Sequence, residues 1–224
     1  YFFFLYAMEQ DVSHKFSLIA GFRKVKVIAA ESIKYSLGHK VIFWLIAGGF
    51  LAVFVFQPMN MYWGPRFNAM GGDRIWLTGW FWAFEAIFMM LGAYLVGVFL
   101  GRGKHYTFIM IMAILLISIP IILSASSNIL LLAFPAYLIH EIARGIQKPV
   151  QQAYLNKYAE PEKRATIFSF ESMTSALGAA VGLWFFGWIA KNTSIETSWI
   201  MAGVFALVLI PIYLMARKKE EQYA

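Results

Sequence analysis

The sequence predicts an all-α membrane protein with six transmembrane helices. Hydrophobic residues make up 60% of the 224 residues and charged residues only 14%, whereas soluble domains contain about 25% charged residues. The mean hydropathy is +0.64, and no soluble domain of this size can bury so much apolar surface in one core. The apolar residues form long runs without the alternation of a β-barrel. Helices are therefore expected, because they satisfy their own backbone hydrogen bonds in lipid.

Six runs approach the roughly 20 apolar residues that a spanning helix needs. Most of the 19 lysines and arginines lie before the first run, in every second connection and in the tail. Because such residues favour the cytoplasmic side, we expect both ends of the chain in the cytoplasm and the bundle in the plasma (inner) membrane. The net charge of +7 then belongs to cytoplasmic loops and does not indicate nucleic-acid binding. The runs lie near 41–63, 75–101, 107–124, 129–152, 166–190 and 198–216.

The elements follow in this order along the chain. Residues 1–8 are expected to end a preceding span whose beginning is missing, which makes the sequence a fragment. Residues 9–39 form a cytoplasmic linker with an amphipathic helix, lying either on lipid headgroups or against the protein. Residues 40–217 form the six-span bundle, and residues 218–224 a cytoplasmic tail.

A shift of the chain by 86 residues reveals an internal repeat. Phe84 and Glu85 then meet Phe170 and Glu171, and the two following Leu-Gly-Ala stretches coincide. The repeat units are 40–124 and 128–217. Because each holds three spans, the second enters the membrane inverted, as in many transporters. Small residues beside each glutamate predict close helix packing at Gly92, Gly97, Gly101, Gly178 and Gly182.

Charged residues inside the runs are the candidate functional residues. Glu85 and Glu171 either fix helix packing through hydrogen bonds or act on a solute or a proton. In the fourth run His140, Glu141 and Arg144 share one helix face. That face either lines a cavity and contacts the solute or a proton, or it holds a self-satisfied Glu141–Arg144 pair.

Two uncharged residues complete the set of candidates. Gln57 and Asn60 offer hydrogen bonds near the outer end of the first run. They are less easily explained by the interfacial aromatic belt than the neighbouring Trp63 is.

Three stretches resemble the C-terminal half of a transporter of the major facilitator superfamily (MFS). ARGIQKPVQQAYLNKYAEPEKRATIFS (143–169) is similar to that family's tenth span, inner loop and eleventh span. QPMNMYWGPRF (57–67) looks like the outer end of the seventh, and GVFLGRGK (97–104) like the basic inner-loop signature without its Asp. The resemblance implies that the first, second, fourth and fifth spans border a central cavity.

The resemblance implies a secondary transporter that moves a small solute by alternating access, with proton coupling as a hypothesis. Its partners would be a missing N-terminal six-helix half of the same chain, membrane lipid and the solute. A membrane-embedded enzyme and a non-transporting scaffold or receptor are the alternatives. The sequence shows no hydrolase or metalloprotease motif and has no cysteine. We therefore expect no catalytic residues, metal or cofactor.

Overall fold

The computed structural model describes residues 30, 33–101 and 105–221. Within them it contains seven helices and no strand. Residues 33–38 are also helical and lead into the first. The predicted end of a span at 1–8 and most of the predicted linker at 9–39 lie outside the described residues. The helices are α1 (Lys40–Met70), α2 (Ile75–Gly101), α3 (Tyr106–Ser126), α4 (Leu130–Tyr158), α5 (Arg164–Asn192), α6 (Ile195–Ala206) and α7 (Leu209–Glu220).

Five candidate spans are long and apolar enough to cross a membrane within the described ranges: α1, α2, α3, α5 and the combined stretch of α6 and α7. The prediction of six spans is therefore confirmed for five. The exception, α4, has 29 residues, so its length suffices. Its hydropathy is low because charged and amide side chains interrupt the apolar residues of its middle turns.

The last predicted run is divided into two helices. Leu207 and Val208 stand between α6 and α7, and Pro211 follows one turn later. Proline has no N–H to donate to the carbonyl four residues before it, here that of Leu207. The Leu207 carbonyl accepts instead from the N–H of Ile210, three residues on, at 3.1 Å. The chain is therefore wound more tightly at this point.

The helices pack in a symmetrical pattern. α1 lies mainly along α5 and α4 lies along α2, while α3 packs on α4 as the α6–α7 pair packs on α1. α2 is the least buried candidate span and α1 the most buried. We call the end of the bundle where α1 finishes the Arg66 end and the opposite end the Glu220 end.

Glycines allow the two main helix pairs to approach closely. A Cβ at Gly92 would stand 2.0 Å from the Ile142 carbonyl oxygen, and one at Gly178 would stand 2.3 Å from that of Phe50. Gly182 faces the Phe54 carbonyl in the same way, at 2.5 Å. Gly97 makes no such approach, since a Cβ there would meet nothing within 4 Å. Gly101 ends α2, and its surroundings are outside the described part.

Arg66 joins three helices at the end named after it. It lies inside α1, which continues past the predicted boundary at residue 63, and it is buried. Its Nη2 donates to the carbonyl oxygens of Ser124, Ala125 and Ser127 at 3.0–3.1 Å, and its Nη1 pairs with Glu196 at the start of α6. The last carbonyls of a helix lack internal partners, so Arg66 satisfies those of α3.

At the Glu220 end, the carboxylate of Glu220 joins α7 to α4. Glu220 of α7 accepts from the hydroxyls of Tyr154 and Tyr158 at 2.6 and 2.7 Å and pairs with Lys157 at 2.7 Å. The ring of Tyr154 in turn stacks on that of Tyr106 at the start of α3, with 5.0 Å between ring centroids. Each end therefore ties α3 and the α6–α7 pair to a long central helix, α1 at one end and α4 at the other.

Candidate functional site

α4 carries more buried or half-buried polar side chains than any other described helix. They recur at intervals of three or four residues, which places them along one side of the helix. Because an unpaired charge facing lipid costs about 3 kcal/mol or more, these residues turn toward α1, α2, α5 and α7. The series consists of His140, Glu141, Arg144, Gln147, Lys148 and Gln151.

The first group of this series is the arginine cluster, made of Glu85, His140, Glu141 and Arg144. Arg144 Nη1 donates to Glu141 Oε1 at 2.8 Å, within one helix. The same nitrogen lies 3.9 Å from Glu85 Oε1 on α2, too far for a hydrogen bond. His140 Nδ1 lies 3.2 Å from Glu141 Oε1. Glu141 and His140 are fully buried, and the Glu85 side chain is 13% exposed.

The arginine cluster has unused hydrogen-bonding capacity. Among the described residues, the second carboxylate oxygens of Glu85 and Glu141 and the Nε2 of His140 have no hydrogen-bond partner. Buried polar groups are nearly always partnered in proteins. Two carboxylates also face a single guanidinium, which leaves one negative charge when His140 is neutral. The site can therefore accept a proton, a water molecule or a positively charged group.

Aromatic rings surround the arginine cluster. The Arg144 guanidinium lies 5.3 Å from the centre of the Phe56 ring on α1, close enough for a cation–π contact. Tyr137 stacks on His140, with 5.5 Å between ring centroids. These rings exclude water, so the charges interact more strongly than at a wet surface.

The second group is the lysine cluster, made of Lys148, Glu171 and Ser175. Lys148 Nζ lies 2.7 Å from Glu171 Oε1, which also accepts from the Ser175 hydroxyl at 3.0 Å. Glu171 is only 1% exposed, whereas the lysine side chain is 42% exposed. Because Lys148 follows Arg144 by four residues, the two clusters stand about 6 Å apart along α4. The lysine cluster is the one nearer the Glu220 end.

A pair of glutamines fixes α4 beside the lysine cluster. Gln151 donates to the Leu45 carbonyl of α1 at 3.0 Å and accepts from Gln147 at 2.7 Å. The Gln147 amide lies 3.0 Å from the Tyr213 hydroxyl of α7. Gly49 leaves room for this arrangement, because a Cβ there would stand 2.5 Å from the Gln151 amide nitrogen and 2.9 Å from Glu171 Oε1.

The structure therefore brings four of the predicted residues into one cluster and Glu171 into a second. The remaining two are not joined to either cluster in the described part. Gln57 donates to the Val53 carbonyl of its own helix at 2.9 Å, and Asn60 is exposed near the Arg66 end of α1.

Lys148 and Ser175 are members of the site that sequence reasoning missed. Each stands four residues after a predicted residue, Lys148 after Arg144 and Ser175 after Glu171. The same i, i+4 spacing that grouped His140 with Arg144 therefore points to both. Phe56 and Tyr137 carried no comparable signal, since aromatic residues are common throughout this chain.

Five helical stretches of the described bundle, long and apolar enough to cross a membrane, with Glu141 and Glu171 buried among them, indicate a polytopic membrane protein. The family model of the Major Facilitator Superfamily matches residues 74–223, and the chain belongs to that family. It is also 24% identical over 208 residues to the uncharacterized MFS-type transporter YxaM of Bacillus subtilis (strain 168). The match covers 87% of this chain and 48% of YxaM, so the chain spans about half the length of that relative. No solved structure gives a significant match.

Proposed function

We propose that this chain is one half of a secondary transporter that moves a small solute by alternating access, coupled to protons at its buried carboxylates. Family membership supports transport, because MFS proteins are transporters and not enzymes. The match to about half of YxaM supports a second six-helix half. That half would cover the exposed apolar sides of α2 and α5, two of the least buried spans of the described bundle.

The packing of the helices supports an inverted repeat of three spans. The repeat equates the first span with the fourth, the second with the fifth and the third with the sixth. Under this exchange the contact between α1 and α5 becomes the contact between α4 and α2. The contact between α3 and α4 becomes the contact between the α6–α7 pair and α1. Each exchanged pair is an observed neighbour. Such a repeat lets the same helices open a site to one side of the membrane and then to the other.

One observation carries the proposal: the two repeat-related carboxylates face cations on the same helix at unequal distances. Glu171 is 2.7 Å from Lys148, and Glu85 is 3.9 Å from Arg144. A movement of α4 relative to α2 and α5 would change both distances together. Gly145 and Pro149 lie between or beside the two cations and lower the cost of bending the helix there.

Protonation has a direct consequence in this geometry. When Glu85 is neutral, Arg144 pairs with Glu141 alone, and the arginine cluster carries no net charge. When Glu85 is charged, a cation or a proton is drawn to it. Moving an uncharged site past hydrocarbon costs far less than moving a charged one, so proton uptake would permit the change of access.

Reconstitution of the complete protein as encoded tests this function. Vesicles containing the protein and an internal pH-sensitive dye are given a pH gradient and a panel of radiolabelled cationic, anionic and neutral solutes. We expect Glu85→Gln and Glu171→Gln to abolish proton-driven accumulation while downhill exchange continues. Glu162→Gln, in an exposed loop, is the control. Absence of flux above protein-free vesicles, or unchanged coupling in both variants, would overturn the proposal.

A further inference from the structure

An aromatic groove lies between α2 and α4 at the Arg66 end. Its volume is about 530 Å³, large enough for a drug-sized molecule. Its walls are almost entirely apolar, and five of the nine lining side chains are aromatic, four of them on α2 and one on α4. Within the described bundle Trp76 and Trp80 are 61% and 60% exposed, so in the complete transporter they would lie between this bundle and the proposed second half. We call this feature the tryptophan groove; it is lined by Trp76, Leu77, Trp80, Phe81, Phe84, Leu130, Leu131, Phe134 and Pro135.

Ring contacts connect the tryptophan groove to the arginine cluster. Phe134 lies 4.7 Å from Phe81 and 6.4 Å from Phe84, measured between ring centroids. On its other side it stacks on Tyr137 at 6.5 Å, and Tyr137 stacks on His140. Glu85 stands four residues after Phe81, which places the two side chains on one face of α2. The groove therefore runs along aromatic faces toward Glu85.

The charge beside the groove favours a cation. Arg144 is engaged by Glu141 at 2.8 Å and stands 3.9 Å from Glu85. The Glu85 Oε2 has no hydrogen-bond partner among the described residues. An anion entering here would face two carboxylates against one guanidinium. A cation would meet a loosely paired carboxylate and the negative faces of several rings.

We propose that the tryptophan groove and Glu85 bind an organic cation with a bulky apolar body, and that this is the substrate class of the transporter. The inference rests on the proposed function and specifies its solute. The apolar body would displace water or lipid from the groove, which stabilises binding in proportion to the buried area. The positive centre would lie against the rings of Phe84 and Phe134 and pair with Glu85.

A pair of probes with the same shape and opposite charge isolates the contribution of charge. Tetraphenylphosphonium is a bulky cation, and tetraphenylborate is an anion of nearly the same size. Binding of each radiolabelled probe is measured by equilibrium dialysis against the complete protein in nanodiscs of zwitterionic lipid. Empty nanodiscs give the background due to partition into lipid.

Two variants and one matched control locate the site. We expect saturable binding of tetraphenylphosphonium, weakened at least about tenfold by Glu85→Gln and by Trp80→Ala. Trp188→Ala is the control for the loss of an exposed tryptophan, because Trp188 on α5 is 60% exposed, as Trp80 is. It should leave the Kd unchanged. Size-exclusion profiles and melting temperatures verify that each variant is folded; if Glu85→Gln is not, Trp80→Ala against Trp188→Ala decides.

Three results would overturn the inference: no saturable binding above empty nanodiscs, equal saturable binding of tetraphenylborate, or an unchanged Kd in the folded variants. The last would place any bound cation elsewhere. Flux measurements separate this failure from that of the proposed function. If the protein transports other solutes but does not bind tetraphenylphosphonium, the inferred cation site is wrong and the proposed transport function stands. If the protein binds tetraphenylphosphonium but carries no solute flux, the cation site is supported and the proposed transport function is wrong.

Discussion

Two lysine–glutamate pairs in this bundle share a distance but differ in their surroundings. Lys148 and Lys157 each stand 2.7 Å from a glutamate oxygen, and both lysine side chains are 42–49% exposed. Glu171, the partner of Lys148, is 1% exposed, whereas Glu220, the partner of Lys157, is 24% exposed. A carboxylate that water cannot reach depends more heavily on its cation.

This difference predicts unequal effects of removing the two lysines. Lys148→Ala should lower the free energy of unfolding by about 2 kcal/mol, because Glu171 keeps only the Ser175 hydroxyl. Lys157→Ala should cost less than about 1 kcal/mol, since water and two tyrosine hydroxyls remain at Glu220. Unfolding by SDS in mixed micelles measures both. Equal losses would show that burial of Glu171 does not set the strength of its pair.

Individual residues of the site could be predicted only where their chemistry is rare in its surroundings. Glu85, Glu141 and Arg144 stand out because a charge within an apolar run requires a reason. Gln57 also looked unusual, but in the structure its side-chain amide donates a hydrogen bond to the carbonyl of Val53 in its own helix. A sequence does not reveal which partner an amide chooses, because local and distant acceptors compete on nearly equal terms.

At the scale of the helices, Gly92 and Gly97 make a direct comparison. Gly92→Ala should destabilise the bundle by about 2 kcal/mol, because its Cβ would stand 2.0 Å from a backbone oxygen of α4 and force α2 away. Gly97→Ala, on the same helix, should change stability by less than about 0.5 kcal/mol, because the added methyl meets open space. The SDS unfolding assay compares them, and similar losses would mean that α2 does not depend on the contact at Gly92.

The Arg66 contacts give a second prediction for the helices. Arg66→Met should cost about 2–3 kcal/mol, because it leaves the last carbonyls of α3 and the carboxylate of Glu196 without their donor. Arg74→Met, at an exposed position beyond the same helix, should change stability by less than about 0.5 kcal/mol. Thermal unfolding in detergent, followed by tryptophan fluorescence, measures the difference. If the Arg66→Met and Arg74→Met variants have the same melting temperature, Arg66 does not hold these helices together.

Helix positions could be predicted more closely than helix contacts. The second run, 75–101, coincides with α2, and the third and fifth differ from α3 and α5 by one or two residues at each end. The first run ends seven residues before α1 does, because α1 continues through Pro65 and the polar residues beyond the apolar run. The division at Leu207 was missed because it depends on one proline, Pro211, inside an otherwise unbroken apolar run.

At the scale of the whole molecule, the positions of the spans could be predicted from composition, whereas which end of the bundle faces the cytoplasm remains a prediction. Composition predicts the spans because, in lipid, the backbone N–H and C=O groups must hydrogen-bond within the protein, which favours long apolar helices. Composition does not determine which helices become neighbours. That pairing depends on the fit of particular surfaces, such as Gly92 against Ile142 or Gly178 against Phe50, and it was not predicted from the sequence.

The absence of cysteine makes the crossing of α4 directly testable. Asn128→Cys, before α4, should react with a membrane-impermeant maleimide in intact cells, whereas Glu162→Cys, after α4, should react only after permeabilisation. Both positions are exposed in the structure. Asp73→Cys, in the connection before α2, is expected to react like Asn128→Cys. Labelling of Asn128→Cys and Glu162→Cys from the same side would show that the polar α4 does not span the membrane.

The two ends of the bundle are fastened by chemically different groups. Arginine keeps its charge at every pH that a cell meets, and three of the Arg66 acceptors are backbone carbonyls, which do not titrate. The opposite fastening depends on the carboxylate of Glu220, which loses its pair with Lys157 once it is protonated. Acid therefore weakens the Glu220 end more than the Arg66 end, where only the pair with Glu196 depends on a carboxylate.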